Sequence, residues 1–232
     1  MKKHLRIFLL MVLIGCQSAR QEEEITSVNC DDYSLINYLY PIDHFINGRT
    51  LVYSFNSNNE LGSGIRKELY ELKIGDDSVL YKVILDSKGI VEDSTVYSLI
   101  KGVPTIIETF TRPSTSNELV EAKDSIFGNP YCELSTYWNS LEYKYRFEGS
   151  ILSRKFQGYV THMRYVKEVF NGQEYNCAII ESKKTLYSEF KGETAEIDGI
   201  WTACICENLG ELYSTLKTDN GLIINNELKY VF

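Results

Sequence analysis

The sequence predicts an all-β protein with few short helices, folded as a highly curved antiparallel sheet or open β-barrel with meander connections. Three observations carry this. The composition is strand-forming, with 17 Tyr and 10 Phe beside abundant Val, Ile and Thr, and only 4 Pro. Segments of alternating apolar and polar residues recur at short intervals. The gaps between them are short and contain Gly, Asp and Asn, the residues of hairpin loops. About a dozen strands is too many for one flat sheet, so the sheet must curl, close or split into two layers.

In chain order, residues 33–40 can form one or two helical turns, with Asp31 or Asp32 as N-cap and Pro41 forbidding continuation. The first clear strand runs from Gly48 to Phe55, with Leu51, Tyr53 and Phe55 on one face. Further strands are expected over 65–74, over 78–86 with Val79, Tyr81, Val83 and Leu85 on one side, over 90–99 and over 103–111. Residues 114–130 hold a strand and a long turn. Residues 133–148 show the sharpest alternation: Leu141, Tyr143, Tyr145 and Phe147 share one face, and Glu142, Lys144, Arg146 and Glu148 the other. That pattern fits a sheet with one covered face. A long strand over 152–170, bent at Gly158, leads through Asn171-Gly172-Gln173 into 174–182. Residues 185–196 read as a short helix or a loop, and strands follow over 198–207, 211–218 and 222–232.

No linker separates two domains, so 33–232 is expected to be a single β domain. The chain of 232 residues carries 24 basic and 32 acidic residues. Three of the basic residues and none of the acids lie in 1–15, which leaves 21 against 32 and a net charge of −11 in 16–232. A field of that sign repels phosphate backbones and makes nucleic acid an improbable partner.

The amino terminus states a location. Lys2, Lys3 and Arg6 precede an apolar run from Ile7 to Ile14, long enough for a signal-peptide core and too short to span a membrane. Leu13-Ile14-Gly15-Cys16 then resembles the lipobox of bacterial lipoproteins. The resemblance implies that Cys16 receives a diacylglyceryl group and that 1–15 is a signal peptide cut off before it. It also implies that the new amino terminus is acylated, by palmitate or a similar chain. Several acyl chains together anchor stably where one would be marginal. Residues 16–32 form the lipidated Cys and a flexible acidic tether containing Glu22-Glu23-Glu24. An acidic cluster soon after the Cys resembles a signal for export to the outer face of the outer membrane; a solvated linker explains it as well.

Tyr40-Pro41-Ile42, followed by Gly48 to Tyr53, resembles a recurrent opening in small uncharacterised bacterial envelope lipoproteins. Asp198-Gly199-Ile200-Trp201 is similar to a late strand of the same proteins, with Trp201 where a Gly is the rule. The resemblance implies a curved antiparallel sheet similar in general shape to the lipoprotein carriers LolA and LolB. It implies a cell-envelope, lipid-anchored location, on the outer membrane and on either its periplasmic or its surface face.

Motifs of catalysis are scarce. His44 and His162 are the histidines outside the signal peptide, and His162 sits beside Arg164 on the strand face opposite Tyr159 and Tyr165. There is no Gly-x-Ser-x-Gly elbow, His-Glu-x-x-His, P-loop or dinucleotide fingerprint. No metal site and no cofactor is expected. Cys204-Ile205-Cys206 puts two sulfurs on one strand face. This is a soft-metal or redox pair on one reading and two small buried residues on the other, since structural zinc usually needs four ligands. Cys177 is the partner to consider for one of them, while Cys30 and Cys132 remain unassigned.

Tyr143, Tyr145 and Phe147, with Tyr53 and Phe55, form the best candidate ligand surface, although core is the commoner fate of alternating aromatics. The expectation is a non-enzymatic binding or interaction module, holding an apolar ligand such as a lipid or packing against an envelope protein. The alternatives are a surface lipoprotein that binds glycan or nutrient, and an envelope enzyme acting on glycans through two carboxylates roughly 5–10 Å apart. Growth with labelled palmitate is expected to label the protein, and Cys16→Ser is expected to abolish the label; a labelled Cys16→Ser chain would refute the assignment of the anchor.

Overall fold

An alternating segment becomes a strand only when a neighbour takes up its backbone hydrogen bonds, and here each strand finds that neighbour in the next one along. The computed structural model describes residues 36–39, 41–58, 62–75, 78–100, 103–113, 118–127 and 138–232. Cys16, the tether, Cys30, Cys132 and the expected N-caps Asp31 and Asp32 lie outside the described residues. A four-residue helix, α1 (Ile36–Leu39), and a 3-10 turn, Ile42–His44, precede the strands. These are β1 (Arg49–Ser57), β2 (Ser63–Lys73), β3 (Val79–Leu85), β4 (Val91–Ile100), β5 (Val103–Thr111) and β6 (Val120–Phe127). They continue as β7 (Trp138–Phe147), β8 (Ser150–Phe170), β9 (Gln173–Phe190), β10 (Glu193–Cys206), β11 (Gly210–Thr218) and β12 (Ile223–Val231). Each pairs antiparallel with its successor, and β1 pairs with β12, so the curved sheet closes into a barrel.

Two sequence expectations are corrected. Residues 185–196 hold neither helix nor loop: β9 runs to Phe190, β10 begins at Glu193, and Lys191-Gly192 turns the chain with φ of 53° and 84°. Two successive positive φ values are what a tight hairpin needs, and Glu148-Gly149 and Asn171-Gly172 do the same. Lys is not a turn residue, so the signal at 191–192 was the Gly alone. The irregularity in β8 falls between Val160 and His162, not at Gly158. The extra residue inverts the alternation, so Tyr159 and His162 share a face and only Tyr165 lies opposite; their partners on β9 are Lys183, Glu181 and Ala178.

The register also decides which residues face inward. Leu51 and Tyr53 of β1 lie opposite Glu68 and Arg66 of β2, and Tyr70 lies opposite Lys82 of β3. In β3 the buried positions are Leu80 and Ile84, so Val79, Tyr81, Val83 and Leu85 share the less buried side. The segment before β1 covers one end of the barrel. Phe45 is buried, stacks on Tyr70 with ring centroids 4.4 Å apart, and its carbonyl accepts a hydrogen bond from the Leu72 amide. Tyr38 and Leu39 pack against Ala178, Ile180, Ala203 and Ile205.

Cys206 lies directly opposite Cys177 in the β9–β10 ladder, and the two form a disulfide. Cys204 remains a free, buried thiol, and burial pushes its pKa up to about 11 against the opposing effect of a hydrogen bond with Tyr213. A buried thiol held so far above neutral pH carries little thiolate. Cys177→Ala with Cys206→Ala is expected to lower unfolding free energy by roughly 3–4 kcal/mol through lost loop closure, whereas Cys204→Ala should cost no more than a small cavity; denaturant unfolding of the two variants checks both.

Candidate binding site in the barrel interior

β2 supplies the centre of the site. Its alternation carries Arg66, Glu68, Tyr70 and Leu72 to one face, so two charges share a side with two large apolar groups. Glu68 is buried and fully engaged. Its Oε1 accepts from Arg66 Nη2 at 2.9 Å, and its Oε2 accepts from the Tyr70 hydroxyl at 2.7 Å and lies 3.3 Å from Lys82 Nζ. The Lys82 ammonium also sits over the Tyr70 ring, 5.4 Å from its centroid. Burial pushes the Glu68 pKa up, but the charges of Lys82 and Arg66 and the hydrogen bonds outweigh it and hold the carboxyl below its usual range.

A second carboxyl faces the same space from β11. The Glu211 side chain accepts from the Ser214 hydroxyl at 2.6 Å, and Asn226 of β12 donates to that hydroxyl at 3.1 Å. The Tyr53 hydroxyl donates to the Glu211 backbone carbonyl at 3.1 Å. Burial, reinforced by the nearby Glu68 charge, holds the Glu211 pKa above its usual range. The β10–β11 bulge between Cys204 and Ile205 sets this orientation by bringing Glu211 opposite Ile205.

Between these groups lie two adjoining cavities. One of about 230 Å³ is lined by Tyr53, Arg66, Glu68, Trp201, Glu211, Ser214 and Asn226. The other, of about 180 Å³, shares five of those residues and is roofed by Leu39, Pro41 and Phe45. Trp201 closes the wall from β10 and carries Lys184 5.1 Å from its ring centroid; burial lowers the Lys184 pKa. Arg66 Nε is buried without a hydrogen-bond partner among the described residues. The site is therefore a small chamber with aromatic walls, two cations and two unequal carboxyls.

The aromatic residues singled out in the sequence lie elsewhere. Tyr143 and Tyr145 are buried in a separate cluster with Ala122 and Leu152, their rings 6.1 Å apart, and Phe147 packs on Phe190 at 5.5 Å. Tyr53 is brought to the chamber, not to that cluster. Arg66, Glu68, Lys82, Trp201, Glu211 and Asn226 were not recognised as site residues. The available signal was the alternation of β2, which places Arg66 and Glu68 in line with Tyr70 and Leu72.

Two solved structures are similar to this chain. A candidate lipoprotein from Parabacteroides distasonis ATCC 8503 has 12% sequence identity and a TM-score of 0.46, covering 80% of this chain and 95% of its own. A candidate exported protein with a YmcC-like fold from Bacteroides fragilis NCTC 9343 also has 12% identity, with a TM-score of 0.40, and covers 79% of this chain and 95% of its own. No family model matches the chain, and no curated protein matches it.

The two carboxyls should respond oppositely to pH. Glu68 has a depressed pKa, so its contribution to stability is present above the unfolded carboxyl pKa and lost as pH falls through the folded value. Glu68→Gln is expected to cost about 3 kcal/mol at neutral pH, because it strands the Arg66 and Lys82 charges, and the difference from wild type should shrink in acid. Glu211 has a raised pKa, so its penalty on folding builds as pH rises above the unfolded carboxyl pKa and is complete above the folded value, and Glu211→Gln should stabilise the protein at neutral pH and not in acid. Urea unfolding across the pH range measures both signs.

Proposed function

We propose that this protein is a lipid-anchored, non-enzymatic binding module of the bacterial envelope whose barrel interior holds a small hydroxylated solute of monosaccharide size. The observation that carries this is the chamber around Glu68 and Glu211, which sets charged and polar side chains beside Tyr53 and Trp201. Buried charges and unpaired donors cost stability, and folds keep them mainly where they serve recognition or chemistry. A cavity of 230 Å³ has the volume of about eight waters, at about 30 Å³ each. That suits one compact solute. An acyl chain would leave Arg66, Lys82 and Glu68 desolvated against hydrocarbon, so the apolar-ligand version of the carrier reading, and with it the likeness to LolA and LolB, loses support. Alternating donors and acceptors beside the faces of Trp201 and Tyr53 are the chemistry that a polyhydroxylated ring meets best. The anchor and the envelope location rest on Cys16 and the residues before it.

One observation favours a second reading. Glu68 and Glu211 line a single cavity, and their environments push the two pKa values apart, as an acid–base pair acting on a glycan needs.

Native mass spectrometry of the protein isolated gently from envelopes is expected to show a bound mass in the monosaccharide range. Trp201→Ala, confirmed folded by circular dichroism, is expected to lose it. An apo mass in the wild-type protein overturns the binding reading. Glycan cleavage that disappears in Glu211→Gln while binding persists would replace it with the enzymatic one.

A further inference from the structure

We propose that the barrel end at which the chain arrives from its amino terminus is a docking surface for a lipid bilayer, formed by Ile46, Ile74, Val169, Tyr230 and Phe232. Phe232 is 77% exposed, Ile74 68%, Val169 66% and Tyr230 59%, which makes them the four most exposed large apolar side chains among the described residues. The topology gathers them at one end. Ile74 follows the last residue of β2, Val169 is next to last in β8, and Tyr230 and Phe232 lie at the end of β12. All of these positions meet the start of β1, because each strand runs opposite to its neighbours.

Ile46 stands just before β1 and is nearly half exposed. It lines one open groove together with Leu69, Tyr81, Val83 and Phe232. The rings of Tyr230 and Phe232 lie 6.2 Å apart. The turn tips of the opposite end present Lys88, Glu148, Lys191, Asp219 and Asn220, all exposed and polar, and its exposed apolar side chains, Ile90, Leu119 and Ile151, reach 55% at most. Isolated exposed Leu or Ile residues are ordinary on a soluble surface, whereas a one-ended group of the most exposed ones marks a partner.

The occupant is identified by where the chain comes from. The Ile42–His44 turn lies at this same end, bonded to Phe45, and α1 packs Tyr38 and Leu39 against Ala178, Ile180, Ala203 and Ile205 near the ends of β9 and β10 that share it. Cys16 precedes Ile36 by about 20 residues, and an extended tether gains at most about 3.3–3.6 Å per residue, so the anchor allows this end to reach the bilayer without forcing it there. The apolar side chains supply the preference. Tyr and Phe suit the level where lipid headgroups meet hydrocarbon, with Glu71 and Lys73 remaining exposed beside Ile74. The net charge of −11 in 16–232 opposes anionic lipid, so the lipid meant is zwitterionic, of the phosphatidylcholine type.

Docking does not depend on what the chamber binds, and it shares only the anchor with the proposed function. The test uses the acylated protein in vesicles of phosphatidylcholine with brominated acyl chains. One tryptophan reporter is placed at Ile74→Trp and, in a second chain, at Lys88→Trp, each read against the two native tryptophans of the parent. Ile74→Trp is expected to be quenched several times more strongly than Lys88→Trp, and adding Tyr230→Asp with Phe232→Asp is expected to remove most of that quenching. Equal quenching at both reporters, or quenching at neither, overturns the proposal. Intact mass of the same sample reports acylation. An acylated protein with an unquenched Ile74→Trp therefore refutes docking alone, while quenching in a chain without acyl groups supports docking and refutes the anchor.

Discussion

Closure of the sheet by β1 and β12 is the constraint on which the rest of this structure depends. Leu51 pairs with Val231, Ser57 with Ile224, and Thr50 and Phe232 exchange both backbone hydrogen bonds at 2.8 and 2.9 Å. Without that seam the sheet would present two long unpaired edges, a template for association with other chains. With it, every strand has two neighbours, and each alternating segment acquires an inside and an outside. The length of β8, β9 and β10 and the bulges in β4, β5, β8, β11 and β12 accommodate the curvature that closure demands.

Barrel size then determines what the inside must contain. Eight strands enclose a space that side chains just fill, and twelve enclose more. This protein uses the surplus in three ways. Aromatic residues around Tyr143 and Tyr145 pack one region. Leu39, Pro41 and Phe45 roof another from before the first strand. Between them, Glu68, Arg66 and Lys82 form a charge cluster whose members are satisfied largely by one another. Such a cluster contributes less to stability than apolar packing of the same volume would, and removing one member leaves the others uncompensated. The chamber beside it is where recognition chemistry is concentrated.

The two barrel ends differ as much as the inside differs from the outside. The end that receives the amino-terminal segment carries the roof of the chamber and the four most exposed apolar side chains among the described residues, and the opposite end carries polar hairpin tips with the less exposed Ile90, Leu119 and Ile151 beside them. On the proposed orientation the roofed end meets the lipid and the polar tips face away. The roof and the lipid-facing rim then belong to one surface, connected through Phe45, Ile46 and the first residues of β1.

The sequence by itself determined the strand-rich class, the meander order and most strand limits, because alternation and Gly-containing gaps are local properties. It determined the resemblance of Leu13-Ile14-Gly15-Cys16 to a lipobox, again from contiguous residues. It placed Cys204 and Cys206 on one face and named Cys177 as the partner to consider, but only the β9–β10 register chose Cys206. Tertiary structure alone decided closure, since pairing of β1 with β12 joins the two ends of the β domain. It also decided which face of β3 is inside: Lys82 reads as a solvent residue in a local pattern, and only the partners Glu68 and Tyr70 on the preceding strand offset the cost of its burial. The chamber was invisible for the same reason. Glu68 and Glu211 stand far apart in the chain, and the bulge that turns Glu211 inward has no signature in the residues that form it. Local sequence sets the period of a strand, while burial of a charge depends on partners that only closure brings together.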